Sequence, residues 1–131
     1  MCFCQGDTFL NNATENLKTH LWVILSNPNL NSDKIVLVNF TTVYGNDFED
    51  LSCVLKDGNH SFIKHDSYVS YRDAIIVSST NLDTLKKSNS IKLHNHCEYD
   101  LLKKVLDGAE KTQFLKLEIY GILEEQGLFD T

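Results

Sequence analysis

The sequence predicts an α+β domain: a small antiparallel β-barrel or rolled sheet followed by a C-terminal helical segment. Three observations carry that prediction. Short apolar segments rich in β-branched and aromatic residues recur through the first two thirds of the chain, each stopped by Asn, Asp, Gly, Pro or Ser. After Glu98 the apolar spacing changes to a helical one. The length, 131 residues, is that of one domain with a core of its own. The sheet is expected over residues 5–94 and the helices over 98–126.

The elements follow in order. Gly6-Asp7-Thr8-Phe9-Leu10 is a first short strand, and residues 11–18 are polar and read as a loop. Residues 20–26 hold Leu21-Trp22-Val23-Ile24-Leu25, a strand stopped by Asn27-Pro28-Asn29. Residues 34–41 supply a second apolar run, Ile35-Val36-Leu37-Val38. Nearly continuous apolar runs mark strands covered on both faces, so these two form a hairpin in the middle of the sheet. A short strand over residues 51–55 ends at Asp57-Gly58, a pair suited to positive φ in a tight turn. Residues 60–72 are polar and aromatic and read as a loop. Ala74-Ile75-Ile76-Val77-Ser78 is a further strand. Ser79, Thr80 and Asn81 are N-cap residues before a helical turn over 82–87, and residues 91–93 form a last strand. In the tail, Asp107-Gly108 is the expected break between two helices, because interior glycine costs about 1 kcal/mol relative to alanine.

Composition narrows the function classes. Hydrophobic residues make up 42% and charged residues 23%, a globular profile that excludes collagen-like, disordered and disulfide-dense chains. Leu21-Trp22-Val23-Ile24-Leu25 is far too short to span a bilayer, which takes about 20 residues. No basic segment followed by an apolar stretch opens the chain, so a cytoplasmic protein without membrane partners is expected. The net charge of −6 makes the chain a poor generic binder of phosphate backbones, and any nucleic-acid contact must be local. Of four cysteines, Cys2 and Cys4 form a C-x-C, Cys53 lies in an apolar run and Cys97 follows His94 and His96. These spacings fit free thiols better than a disulfide framework or a zinc knuckle, so no cofactor and no metal are expected.

Residues 60–72 stand out for their chemistry. They hold two histidines, one lysine, two tyrosines and the only arginine of the chain, Arg72. Functional residues concentrate in loops held on rigid scaffolds. Metal-free RNA cleavage by 2′-hydroxyl attack needs a base, an acid and a cation beside the phosphate, and histidine supplies both proton-transfer roles near neutrality. His20, His60 and His65 are the candidates for proton transfer; Lys64 and Arg72 can hold phosphate; Thr41 or Ser67 can donate a hydrogen bond. Tyr68 and Tyr71 can stack unpaired bases. Each has a plainer role open to it. His20 can cap a strand edge, His60 can be solvated, and His65-Asp66 can be a local pair. Tyr68 and Tyr71 can be core aromatics, and Arg72 can pair with Asp66 or Asp73.

The order of elements resembles the PemK/MazF superfamily of toxin-like proteins, which fold as SH3-like barrels. The residues that carry the resemblance are Gly6-Asp7-Thr8-Phe9, the two apolar strands around an asparagine-rich turn, Leu82-Asp83-Thr84-Leu85-Lys86-Lys87 and the terminal helical segment. The resemblance implies a metal-independent endoribonuclease of a toxin–antitoxin system, acting on single-stranded RNA as a homodimer and held inactive by an antitoxin. It puts the family's threonine at Thr41, with Thr42 beside it, and the family's arginine at His20, a departure from the pattern. Residues 60–71 have no counterpart in short members. On these grounds His20, Thr41, His65 and Arg72 are the expected catalytic residues, and His60, Lys64, Ser67, Tyr68 and Tyr71 the substrate-binding ones. The other reading is a non-catalytic module that binds a protein or peptide. The apolar residues between Phe114 and Phe129 lie on more than one helical face, and a homodimer interface is expected to take part of them.

Overall fold

The computed structural model describes residues 3–11, 19–45 and 49–129. They form six strands, β1 (Thr8–Asn11), β2 (Leu21–Ile24), β3 (Ile35–Thr42), β4 (Val54–Leu55), β5 (Ser67–Val77) and β6 (Ile91–His94), with three helices, α1 (Ser79–Lys87), α2 (Tyr99–Lys111) and α3 (Leu117–Glu125). All pairings are antiparallel, and the strand order is β4-β5-β3-β2-β1-β6. The α+β class is therefore as expected. The sheet is open: β4 and β6 are its two edges and do not pair with each other among the described residues. The first-named expectation, a closed barrel, thus goes beyond the ladders present.

The central hairpin follows from its residues. Val23 pairs with Val38 and Leu21 with Phe40. At the turn, Asn27 Oδ1 accepts from Asn29 N–H at 2.9 Å, and Ser26 Oγ accepts from Val36 N–H at 2.9 Å. Alternation along β3 splits the core. Val36, Val38 and Phe40 join Leu21 and Val23 in a layer with Leu101 and Val105 of α2 and Ile119 and Leu123 of α3. Ile35 and Leu37 join Phe9, Ile24, Ile91 and Leu82 of α1 in the second. Helices cover both faces, which is why the two central strands read as apolar runs rather than alternating ones.

Two boundaries differ from the sequence reading. The stretch 60–72 is a loop only in its first half, because β5 begins at Ser67 and pairs Ser67, Tyr68, Val69 and Ser70 with Thr42, Thr41, Phe40 and Asn39. Ser67, Val69 and Ser70 are buried there and Tyr68 is half-buried. Between the pairs Asn39–Ser70 and Leu37–Ile75 the register shifts, so Val38 is set against the four residues 71–74. The bulge keeps Tyr71 and Ala74 buried and turns Arg72 and Asp73 outward. The expected break at Asp107-Gly108 is absent: α2 runs through it to Lys111. A Cβ on Gly108 would stand 2.8 Å from Cys53 Cβ and would collide with the Tyr71 hydroxyl, so glycine serves close packing here rather than helix breaking.

The terminal segment buries most of its apolar surface within the chain. Ile119, Ile122, Leu123 and Phe129 are buried, and Leu115, Tyr120 and Leu128 pack against the same core. Leu117, 89% exposed, is the main apolar residue left outside. The surplus on which a homodimer was expected is therefore small. No helix among the described residues is long and apolar enough to cross a membrane.

Candidate functional site

A cleft of about 340 Å³ opens at one end of the central strands. Its walls come from the entry to β2 (Thr19, His20), the end of β3 and the residues after it (Phe40, Thr41, Thr42, Tyr44), the loop 56–66 (Phe62, Ile63, Lys64, His65) and the start of β5 (Ser67). The sheet holds this end rigidly, because Thr41 pairs with Tyr68 and Thr42 with Ser67. Asn11 Oδ1 fixes the entry to β2, accepting from His20 N–H at 2.9 Å and from Trp22 Nε1–H at 3.1 Å.

The half-buried His20 ring has a defined tautomer. Its Nδ1 lies 3.3 Å from the Phe40 carbonyl oxygen, which can only accept, so Nδ1 carries the hydrogen. In the neutral ring Nε2 is then a free acceptor, the state a general base requires. Thr41 and Ser67 have already committed their hydroxyl hydrogens. Thr41 Oγ1 donates to Asn39 Oδ1 at 3.0 Å, and Ser67 Oγ donates to the His65 carbonyl at 3.0 Å. The side-chain donors left for an anion are Lys64, the imidazoles and the hydroxyls of Thr19, Thr42 and Tyr44. Lys64 forms no ion pair among the described residues, whereas the neighbouring Asp66 is taken by Lys56 at 2.9 Å. No carboxylate stands among the described residues lining the cleft. Lys64 is the one formally charged side chain among the described lining residues, in a chain of net charge −6.

Four of the expected site residues besides Thr41 thus meet in one cleft: His20, Lys64, His65 and Ser67. The others lie elsewhere. Arg72 points out from the bulge with its guanidinium 4.3 Å from the Phe114 ring centroid, and it pairs with neither Asp66 nor Asp73. Asp73 instead accepts from Ser70 Oγ at 2.7 Å. Tyr71 is fully buried and donates to the Val105 carbonyl at 2.6 Å; burial holds its hydroxyl protonated far beyond the usual range. Tyr68 is half-buried beside Thr41 and Val54, its hydroxyl also pushed up by burial and then by the Glu49 charge.

His60 is buried rather than solvated. Its Nδ1 accepts from Phe62 N–H at 3.0 Å, and its Nε2, which must then carry the hydrogen, donates to the Asn95 carbonyl at 2.7 Å. Asn95 Nδ2 also donates to Ser61 Oγ at 2.6 Å. These bonds tie the loop that walls the cleft to the residues after β6. His60 thus positions that wall while both its nitrogens are occupied.

Thr19, Phe40, Tyr44, Phe62 and Ile63 complete the cleft without having been singled out by sequence reasoning. Phe62 and Ile63 lay inside the flagged segment, but nothing local distinguishes a rim aromatic from a core one. Tyr44 precedes Gly45 between two apolar runs, with no local mark of a cleft residue. The described cysteines form no disulfide. Cys53 and Cys97 are buried, and burial followed by the Glu98 charge pushes the Cys97 thiol up to about 12. Cys4 is exposed and Cys2 lies outside the described residues. Among the described residues no group of three or more His, Cys, Asp or Glu side chains is placed to hold a metal ion. No family model, no curated protein and no solved structure matches this chain.

Proposed function

We propose that the cleft is a metal-independent RNA-cleaving site. The observation that carries this reading is the meeting of His20, His65 and Lys64 in a cleft whose described lining lacks carboxylates, within an otherwise acidic chain. His20 Nε2 takes the proton of a 2′-hydroxyl and the freed oxygen attacks the adjacent phosphorus. The bond to the 5′ oxygen breaks, and His65, as imidazolium, gives that oxygen its proton. Lys64 offsets the charge that builds on the phosphoryl oxygens. The products are a 2′,3′-cyclic phosphate and a 5′-hydroxyl.

The likeness to PemK/MazF-type toxins supports the reading at two positions, since the family's arginine and threonine fall on His20 and Thr41 and both line the cleft. On that likeness the sheet is an opened relative of the SH3-like barrel, and the working form is a cytoplasmic homodimer restrained by a small antitoxin protein. Arg72 has no part in this chemistry; His20 replaces the arginine with a group that transfers protons.

The test is cleavage of single-stranded RNA by purified protein in EDTA. Wild type should yield cyclic-phosphate ends with a bell-shaped pH dependence. His20→Ala and His65→Ala should each lose about 100-fold or more, the usual weight of a general acid or base. No cleavage by wild type, or cleavage by both variants equal to that of wild type, overturns the proposal, and binding without cleavage turns the cleft into a recognition site only.

A further inference from the structure

Two aromatic side chains stand in the cleft walls without a role in proton transfer. Tyr44 is 75% exposed and Phe62 37% exposed, and they come from different segments. Leaving such rings in water forgoes hydrophobic stabilisation, yet the backbone of each residue is held by a polar bond. Glu49 grips the Tyr44 N–H at 2.7 Å and the Gly45 N–H at 2.9 Å through its two carboxylate oxygens. The Phe62 N–H donates to His60 Nδ1 at 3.0 Å, and the Phe62 ring meets His94 edge-on with centroids 5.7 Å apart. The segments that carry the rings are anchored before any ligand arrives, which lowers the ordering cost of stacking.

We infer that Tyr44 and Phe62 are the base-stacking platforms of the cleft. The inference rests on the reading of the cleft as an RNA site and extends it to the residues that grip the bases. Lys64 and the two histidines suit a polyanion, and exposed ring faces suit unpaired bases, whose own faces are free. In a duplex those faces are already stacked inside the helix and cannot reach either ring. An acidic peptide shares the charge but has no flat faces for the rings, so the rings favour the nucleic acid.

The experiment uses a fluorescent 2′-O-methyl RNA hexanucleotide, which lacks the attacking hydroxyl and reports binding by anisotropy without cleavage. Tyr44→Ala and Phe62→Ala should each weaken binding about 5- to 150-fold, the range for loss of one base–aromatic stack. Tyr44→Phe should keep the affinity, because stacking needs the ring and not the hydroxyl. Phe62→Leu keeps apolar bulk against His94 and should still lose affinity, which separates stacking from loop packing. Tyr99→Ala, a 74%-exposed aromatic on α2, should change nothing. A duplex of the same length should bind at least about tenfold more weakly. No binding by wild type, binding indifferent to both rings, equal affinity for the duplex, or equal competition by a hexa-glutamate peptide overturns the inference. Ring-dependent binding combined with uncleaved natural RNA overturns the cleavage proposal and leaves this one standing.

Discussion

Residues 60–72 drew attention as one unit, and the fold divides them in two. The first half walls a cleft, with Phe62, Ile63, Lys64 and His65 facing it and His60 fastening it from behind. The second half is structural: Tyr71 is sealed in the core, and Arg72 lies over Phe114. The dividing event is the start of β5 at Ser67. Before it, the His60 bonds hold the chain and leave Lys64 and His65 facing the cleft. After it, the ladder to β3 and the core take in Val69, Ser70 and Tyr71, while Arg72 and Asp73 face outward. Residues of the same chemistry therefore do different work according to whether they precede or follow that point.

Substitutions at the two ends should separate this difference. The largest effect on stability is expected from Tyr71→Ala, which empties a fully buried ring site under α2 and removes the bond to Val105. A loss of about 3–5 kcal/mol is expected in urea titrations. His65→Ala, in an exposed part of the loop, should stay within about 0.5 kcal/mol of wild type while abolishing cleavage. If His65→Ala destabilises as strongly as Tyr71→Ala, the two halves are one structural unit and the comparison fails.

Gly108→Ala comes next and has a sign opposite to intuition. On an exposed helix the change stabilises by about 1 kcal/mol. Here the new methyl meets the Tyr71 hydroxyl and Cys53, so overpacking should dominate and destabilise by about 1–3 kcal/mol. Tyr71→Phe removes the clashing oxygen, and the double variant Gly108→Ala/Tyr71→Phe should be less destabilised than the two single losses added together. Additive losses would mean that the glycine and the tyrosine are not coupled.

Arg72→Ala should cost less, about 0.5–1 kcal/mol, the range for an exposed cation–π contact. It should leave RNA cleavage unchanged. A loss of cleavage beyond about tenfold would return Arg72 to the site and break the division between the two halves.

These contrasts also explain what was legible in the sequence. The central hairpin was, because Ile35-Val36-Leu37-Val38 can be buried on both faces only in the middle of a covered sheet. His20, Thr41, Lys64, His65 and Ser67 were legible as chemistry, and their meeting depended on pairings that the sequence does not print. Tyr44 and Phe62 were missed because an aromatic residue carries no local mark of exposure. Gly108 was misread as a break because its reason, the Tyr71 hydroxyl, lies 37 positions earlier in the chain. Local rules see composition and period, whereas a close approach between distant segments is visible only in the fold.

The smallest expected effect concerns pH and the fastening of the cleft wall. His94 Nδ1 accepts from Asn95 N–H at 2.8 Å, and its ring lies 5.5 Å from that of His60. Burial, then His60, then Lys92 disfavour the imidazolium, so the His94 pKa is lowered from its usual 6.5. In the window between the lowered value and 6.5 the unfolded chain binds more protons than the folded one, so stability falls as pH falls through 6.5 and levels off below the folded-state value. The partly exposed ring limits the size of the effect. His94→Gln removes this titration while keeping a polar side chain beside Asn95. Urea midpoints between pH 7.5 and 5.0 should therefore drop less for the variant than for wild type. An equal drop would mean that His94 is protonated as readily in the folded chain as in the unfolded one, and that the wall of the cleft is fastened independently of its charge.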